Sequence, residues 1–333
     1  MKERINWIDW AKALAVCTVV FCHLPQSQEW FYYRYLQSVI IVVFFFISGY
    51  LKKDHGTPKA NWQKYWRSLI LPYILYNIIV YPYWLIKYYM QQGEMPSLFS
   101  AIRPILGAIL FQHENSFCEP LNGPLWYLPA ILVMHIIIDL CRSTKYQHHI
   151  MIILCIVSVI LYITNKYYLF LPNLTPMGLF RRLPYYYIGY IMGQKNLFRK
   201  VNAKRDITHS ILLISVSLLL FQWHLLEKNF ILHIILFYPV NFCFMFGTLY
   251  ACKAINSIKS TVIQNISTGT LVVIGLHVPI ISLTNLCIEI ILNSQHHLIY
   301  HWYTALPTTF IICTLLYPTI FWGVKNNPYI FGK

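Results

Sequence analysis

Lys12 and His23 stand eleven residues apart in the first apolar stretch of the chain, Asn6-Trp-Ile-Asp9-Trp-Ala-Lys12-Ala-Leu-Ala-Val-Cys-Thr-Val-Val-Phe-Cys-His23. At 1.5 Å and 100° per residue, eleven steps make about three turns and about 16 Å, leaving the two side chains about 20° apart on one helical face. An ammonium can hold an anion, and an imidazole exchanges a proton near neutral pH. Asp9 lies one turn before Lys12, close to the same face. Ionisable groups inside an apolar membrane helix are costly and mark function by default. A polar stripe of this length suggests a tunnel rather than a single pocket. The plainer alternatives are Lys12 reaching back to the headgroups or pairing with Asp9, and His23 as an interfacial histidine at a helix end.

Three other groups carry chemistry. The second apolar stretch ends Phe44-Phe45-Phe46-Ile47-Ser48-Gly49-Tyr50, in which Ser48 offers a small hydrogen-bonding group and Gly49 permits close backbone approach, for a ligand or for helix packing. Lys64 and Arg67 fall one turn apart ahead of Pro72-Tyr73. Such a pair suits phosphate, which Arg binds bidentately, or is the ordinary positive charge of a cytoplasmic helix start. Arg181 and Arg182 open a later apolar stretch and could bind an anionic acceptor, orient His23 or anchor at the interface. Glu119, just before Gly123-Pro-Leu-Trp126-Tyr-Leu128, could polarise His23. Trp126 could wall the acceptor or sit in an aromatic belt, and His277 could support the site or pack as a hydrogen-bonded core histidine. His113, His135, His233, Asp139 and Glu289 show no spacing that assigns them a partner.

The elements that must position these residues are membrane helices. Only 11% of the 333 residues are charged and 57% are hydrophobic, with mean hydropathy +0.51, whereas a soluble domain carries about 25% charged residues. Aromatics at 17% suit belts at two interfaces. Spans of about 20 apolar residues are expected near 7–24, 36–51, 68–90, 124–141, 149–165, 179–194, 207–223, 230–252, 262–283 and 302–323, with a half-helix near 98–112. Eighteen Lys and Arg fall in the loops on the side of the N-terminus, and only Arg34, Arg103, Lys166 and Lys228 in the opposite loops. By the positive-inside rule both termini are cytoplasmic. The expectation is an all-α polytopic helix bundle of about ten transmembrane helices, with residues 1–333 as one domain and the long loop 91–123 as a lid or a plain surface loop.

Several classes are excluded by pattern. The net charge of +15 follows the loops, and no phosphate loop, zinc-finger spacing or basic-aromatic module appears, so no nucleic-acid partner is expected. The nine cysteines form no CxxC and no metal-ligand spacing, and read as small buried hydrophobes; no metal is expected. The first apolar stretch lacks a small-residue cleavage site and is expected to be retained as a transmembrane helix.

Ile8-Asp9-Trp10, Lys12 and His23, the Phe44–Tyr50 run, Lys64-x-x-Arg67 before Pro72-Tyr73, Gly123–Leu128 and Gly275-Leu-His277-Val-Pro279 together resemble the acyltransferase-3 family of multispanning membrane O-acyltransferases. The opening Trp7-Ile-Asp-Trp-Ala-Lys12 looks most like its fucose 4-O-acetylase-like branch. Lys12 stands where many members have arginine, and Lys64 replaces the first arginine of the family's paired-arginine motif. The resemblance implies acetyl-CoA or another acyl-CoA as cytoplasmic co-substrate, no permanently bound cofactor, a carbohydrate acceptor at the cell surface, and a multi-pass protein of the inner or plasma membrane in contact with membrane lipid. In that scheme His23 is the catalytic residue, Lys12, Ser48, Lys64 and Arg67 hold the donor, and Asp9, Glu119, Trp126, Arg181, Arg182 and His277 support the acceptor or the base. The competing class is a transporter or flippase of lipid-linked sugars, which would show two related halves with broken helices; no such internal symmetry is evident.

Overall fold

The computed structural model describes residues 4–112, 114, 117–168, 176–198, 201–291 and 298–326. His113 lies outside them, as do Lys2, Arg199, Lys200 and Lys333 of the eighteen loop cations counted above. Among the described residues the chain is helical and has no strand. The helices are α1 (Asn6–His23), α2 (Phe31–Val39), α3 (Ile41–Leu51), α4 (Pro58–Tyr65), α5 (Leu71–Gln92), α6 (Leu98–Ile109), α7 (Tyr127–Arg142), α8 (Gln147–Tyr168), α9 (Pro176–Gln194), α10 (Ala203–Leu226), α11 (Phe230–Ala254), α12 (Thr261–Thr268), α13 (Thr270–Ile291) and α14 (Trp302–Asn326). A π turn, Trp66–Ile70, joins α4 to α5, and a 3-10 turn, Gly123–Trp126, opens α7.

Eight helical stretches among the described residues are long and apolar enough to cross a membrane. Six of them have most of their apolar window turned outward, whereas those of Phe31–Leu51 and Leu232–Ala254 are 56% buried. Only 11% of the apolar window of Gln147–Thr164 is buried, leaving Ile152, Ile153, Ile156 and Ile160 exposed. In water such a surface would aggregate, while lipid tails solvate it. The two expected spans that fall short of this apolar measure are α1 and α9, which carry Asp9, Lys12 and His23, and Arg181 and Arg182. Polar side chains there lower the hydropathy of helices that otherwise have spanning length.

The chain divides into two compact units, each drawn from separated stretches. The first holds residues 1–52, 185–270 and 281–321, and the second 53–184, 271–280 and 322–333. In the first unit α1 packs against α2, α3, α11 and α12, and α10 pairs with α11. Its core is continuous from Val16 and Val20 through Val42–Ile47 to Met245 and Leu249, all nearly inaccessible.

The contact of α3 with the 185–194 part of α9 is backbone on backbone. A Cβ built on Gly49 would lie 2.0 Å from the Tyr186 carbonyl oxygen, and one on Gly189 would lie 2.1 Å from that of Phe46. Gly189 and Gly193 are four residues apart, the small-xxx-small spacing that lets membrane helices approach closely. Gly49 therefore serves helix packing, one of the two uses its place beside Ser48 left open.

In the second unit α7 packs on α8, on the 3-10 turn and on the π turn. Here the 110–122 segment is bound by a buried polar network. Gln112 Nε2 donates to Asn77 Oδ1 (2.8 Å) and Tyr73 Oη (3.1 Å), and its Oε1 accepts from Asn122 N–H (2.8 Å). Asn122 Nδ2 then donates to the Gly275 carbonyl at 2.7 Å. Phe111 and Gln112 both adopt left-handed backbone, at φ 61° and 66°. That conformation is uncommon for non-glycine residues, and these hydrogen bonds hold it.

Candidate active site

Both ends of α1 are fixed by side chains from elsewhere in the first unit. The helix lacks a local N-cap, but Asn256 Oδ1 accepts the Trp7 N–H at 2.9 Å. Asn6 Nδ2 returns bonds to the Asn256 and Ile258 carbonyls, and Trp10 Nε1 donates to Ile258 at 2.9 Å. At the other end Gln26 Nε2 donates to the Phe21 carbonyl (2.7 Å) and the Tyr33 hydroxyl to that of Cys22 (3.1 Å). Helix termini leave such groups without intrahelical partners, and here the supplied partners hold the turn carrying His23.

His23 is exposed at that end, and its Nδ1 lies 2.7 Å from the Val19 carbonyl oxygen. A carbonyl oxygen only accepts, so Nδ1 carries the proton, and in the neutral ring Nε2 keeps its lone pair. This local bond thus fixes the tautomer of a base. Lys12 is half-buried three turns back. Between them on the same face lie Val16 and Val19, at 0% and 7% exposure. The stripe is polar at its two ends and apolar and packed between them.

Asp9 is buried and accepts from Arg4 Nε at 2.6 Å, Arg4 Nη2 at 3.0 Å and Ser267 Oγ at 2.6 Å. Arg4 Nη2 also donates to the Gln264 carbonyl (2.7 Å) and Thr268 Oγ1 (3.1 Å). The carboxylate therefore latches the start of α1 to α12. Ser48 is half-buried on α3.

In the second unit Lys64 and Arg67 are both exposed, with the α4-to-π junction between them. The Leu71 N–H reaches the Trp66 carbonyl, the i to i+5 pairing of a π turn. Behind them the Tyr65 hydroxyl donates to Asp139, and its ring packs on His135 at 5.2 Å. Arg142 pairs with Asp54, which also accepts from Asn61 Nδ2 at 3.2 Å. The Arg142 guanidinium holds the Asp54 carboxyl well below the usual carboxylate range. This clamp binds α4 to the end of α7 and sets the segment that carries both cations.

Arg182 lies over the Trp126 ring at 4.8 Å, so two of the expected support residues meet in a cation–π contact. Arg181 lies over Tyr162 at 5.3 Å. Glu119 faces Arg103 at 3.9 Å and donates its N–H to the Arg103 carbonyl at 3.3 Å, fastening the loop to α6. His277 is fully buried, with Nδ1 2.7 Å from the Val273 carbonyl, the same internal bond as His23 makes. Sequence reasoning left aside Gln112, Asn122 and Asn256, whose partners Asn77, Gly275 and Trp7 are distant in sequence, and took Arg4 only as a loop charge, although its partner Asp9 is five residues away.

Among the described residues no cluster of three or more His, Cys, Asp or Glu side chains could hold a metal ion. The acyltransferase 3 family model, described as an acyltransferase domain, matches residues 5–318, nearly the whole chain. No curated protein and no solved structure matches it.

Proposed function

We propose that this chain, which belongs to the acyltransferase family whose model spans it, moves an acetyl group from cytoplasmic acetyl-CoA to a sugar hydroxyl of a cell-surface polysaccharide or its lipid-linked precursor. The observation that carries the reading is His23, a histidine whose Nδ1–H is committed to the Val19 carbonyl at the fixed, exposed end of α1. Its Nε2 is then the basic atom. It takes the proton of the acceptor hydroxyl as that oxygen attacks the thioester carbonyl, and the CoA thiolate departs. The same lone pair could first accept the acyl group and pass it on, and both routes use one atom.

Lys12, Lys64 and Arg67 are the donor-side cations of this scheme, with Ser48 as a neutral partner. The exposed Lys64 and Arg67 offer charge to the phosphates of CoA, and His23 is the group that meets the thioester. Arg182 with Trp126, together with Arg181, Glu119 and His277, belongs to the acceptor or support side. The bilayer in this reading is the inner or plasma membrane, with both termini cytoplasmic.

The test is to incubate the purified full chain in lipid nanodiscs with labelled acetyl-CoA and extracted membrane glycans. Label in base-labile ester supports the reading, whereas transport of lipid-linked sugar without CoA release would replace it with the transporter class. Lys12→Ala and Arg67→Ala should each weaken acetyl-CoA binding about tenfold or more, the scale of a lost charge-assisted phosphate contact. Unchanged donor binding in both would reject the phosphate site.

A further inference from the structure

Four rings run in series along the first unit where α1 ends. Tyr32 and Trp30 have centroids 5.8 Å apart at 21°, Trp30 and His301 lie 4.5 Å apart at 33°, and His301 and Tyr303 are 5.2 Å apart at 5°. Trp302 stands nearly perpendicular to Tyr303, at 85°, like a wall on a floor. Tyr303 is 56% exposed and His301 is exposed, so the floor is open.

The ladder is attached to the candidate base. The Tyr300 N–H donates to the carbonyl of Pro25, two residues past His23, at 2.7 Å. The Tyr300 hydroxyl donates to Asn285 Oδ1 at 2.7 Å, which steadies the same segment. Gln28 and Glu29, immediately before Trp30, are exposed and supply an amide and a carboxylate at the rim. A pyranose ring presents an apolar C–H face and a polar periphery. Flat aromatic rings take the first, whereas amide and carboxylate oxygens take hydroxyls. Rings that merely anchor a protein at the lipid headgroups need neither this mutual stacking nor a backbone tether to the His23 turn.

We propose that Trp30, His301 and Tyr303 form the stacked aromatic platform of an acceptor-sugar subsite, in which the exposed Tyr303, backed by the other two rings, takes the C–H face of one pyranose ring while its hydroxyl is offered to His23. The proposal rests on the acyl-transfer reading for the purpose of that hydroxyl, while the binding itself can be measured without it. The experiment uses the full chain in nanodiscs and methyl pyranosides of gluco, galacto and 6-deoxy-galacto configuration as probes, with saturation-transfer NMR as the readout. Saturation should reach the ring C–H protons of at least one probe, fall about fivefold or more in Trp30→Ala and Tyr303→Ala, and persist in Trp30→Phe and His23→Ala. Tyr303→Ala tests the same floor if Trp30→Ala fails to fold.

Equal saturation in wild type and in both alanine variants, or none in wild type, overturns the subsite. That result together with acetyl transfer lost only in His23→Ala would leave the acyl-transfer reading standing. Saturation that depends on Trp30 and Tyr303, in a protein that transfers no acetyl group, would do the reverse.

Discussion

Replacing Asp9 separates a latch from a ligand-binding carboxylate. Its two oxygens take three hydrogen bonds, two from Arg4 at 2.6 and 3.0 Å and one from Ser267 at 2.6 Å. The Ser267 bond is buried and charge-assisted, worth about 1.5–2 kcal/mol. The Arg4 side chain is 47% exposed, so its bidentate pair is held to the surface scale of about 1 kcal/mol. Asp9→Ala should therefore cost about 2–3 kcal/mol. Asp9→Asn, which keeps an acceptor for Ser267 but loses the charge, should cost about 1–2 kcal/mol. Unfolding titrations in mild detergent measure both, and a double-mutant cycle with Arg4→Ala should return a coupling of about 1 kcal/mol that shrinks in high salt. Acetyl-CoA affinity should stay within about twofold in the folded variants. No stability loss with a collapse of donor binding would refute the latch and make Asp9 a site residue.

Two further outcomes follow from the packing and the Asp54–Arg142 clamp. Gly189→Ala puts a methyl group 2.1 Å from the Phe46 carbonyl oxygen, which no side-chain motion can relieve; it should cost about 1–3 kcal/mol or more in the same titration, with Gly49→Ala behaving alike. Arg142 depresses the carboxyl of Asp54 in the folded state, so the stability this pair adds is whole above the ordinary carboxylate value of 3.8 and is lost as pH falls below it toward the depressed folded value. Comparing wild type and Arg142→Gln from pH 7 to pH 3 should show the gap between them closing with acid, and a gap constant across that range would contradict the assignment.

Much of the helical content was legible because length and apolar composition are one-dimensional signals. The relation of Lys12 to His23 was equally legible, since it needs only the helical repeat. What escaped was long-range or conformational. Asp9 stands 258 residues from Ser267, and nothing near it marks the choice of Arg4 over Lys12. Phe111 and Gln112 adopt left-handed backbone without the glycine that usually announces it. No residue pattern signalled the π turn that begins at Trp66, between Lys64 and Arg67, and carries Arg67. The two compact units are built from discontinuous stretches, so no linker could reveal them. The seam of Gly49, Gly189 and Gly193 was half visible, because small residues four apart are a packing signal but their partner helix is not.

The central claim is that Nε2 of His23 serves the acyl transfer. The most direct measurement is transfer of label from acetyl-CoA to membrane glycans by wild type and by His23→Ala, each in nanodiscs and each shown to be folded and to bind acetyl-CoA. The account predicts that base-labile label disappears in His23→Ala while donor binding persists. Wild-type transfer by the alanine variant would contradict it.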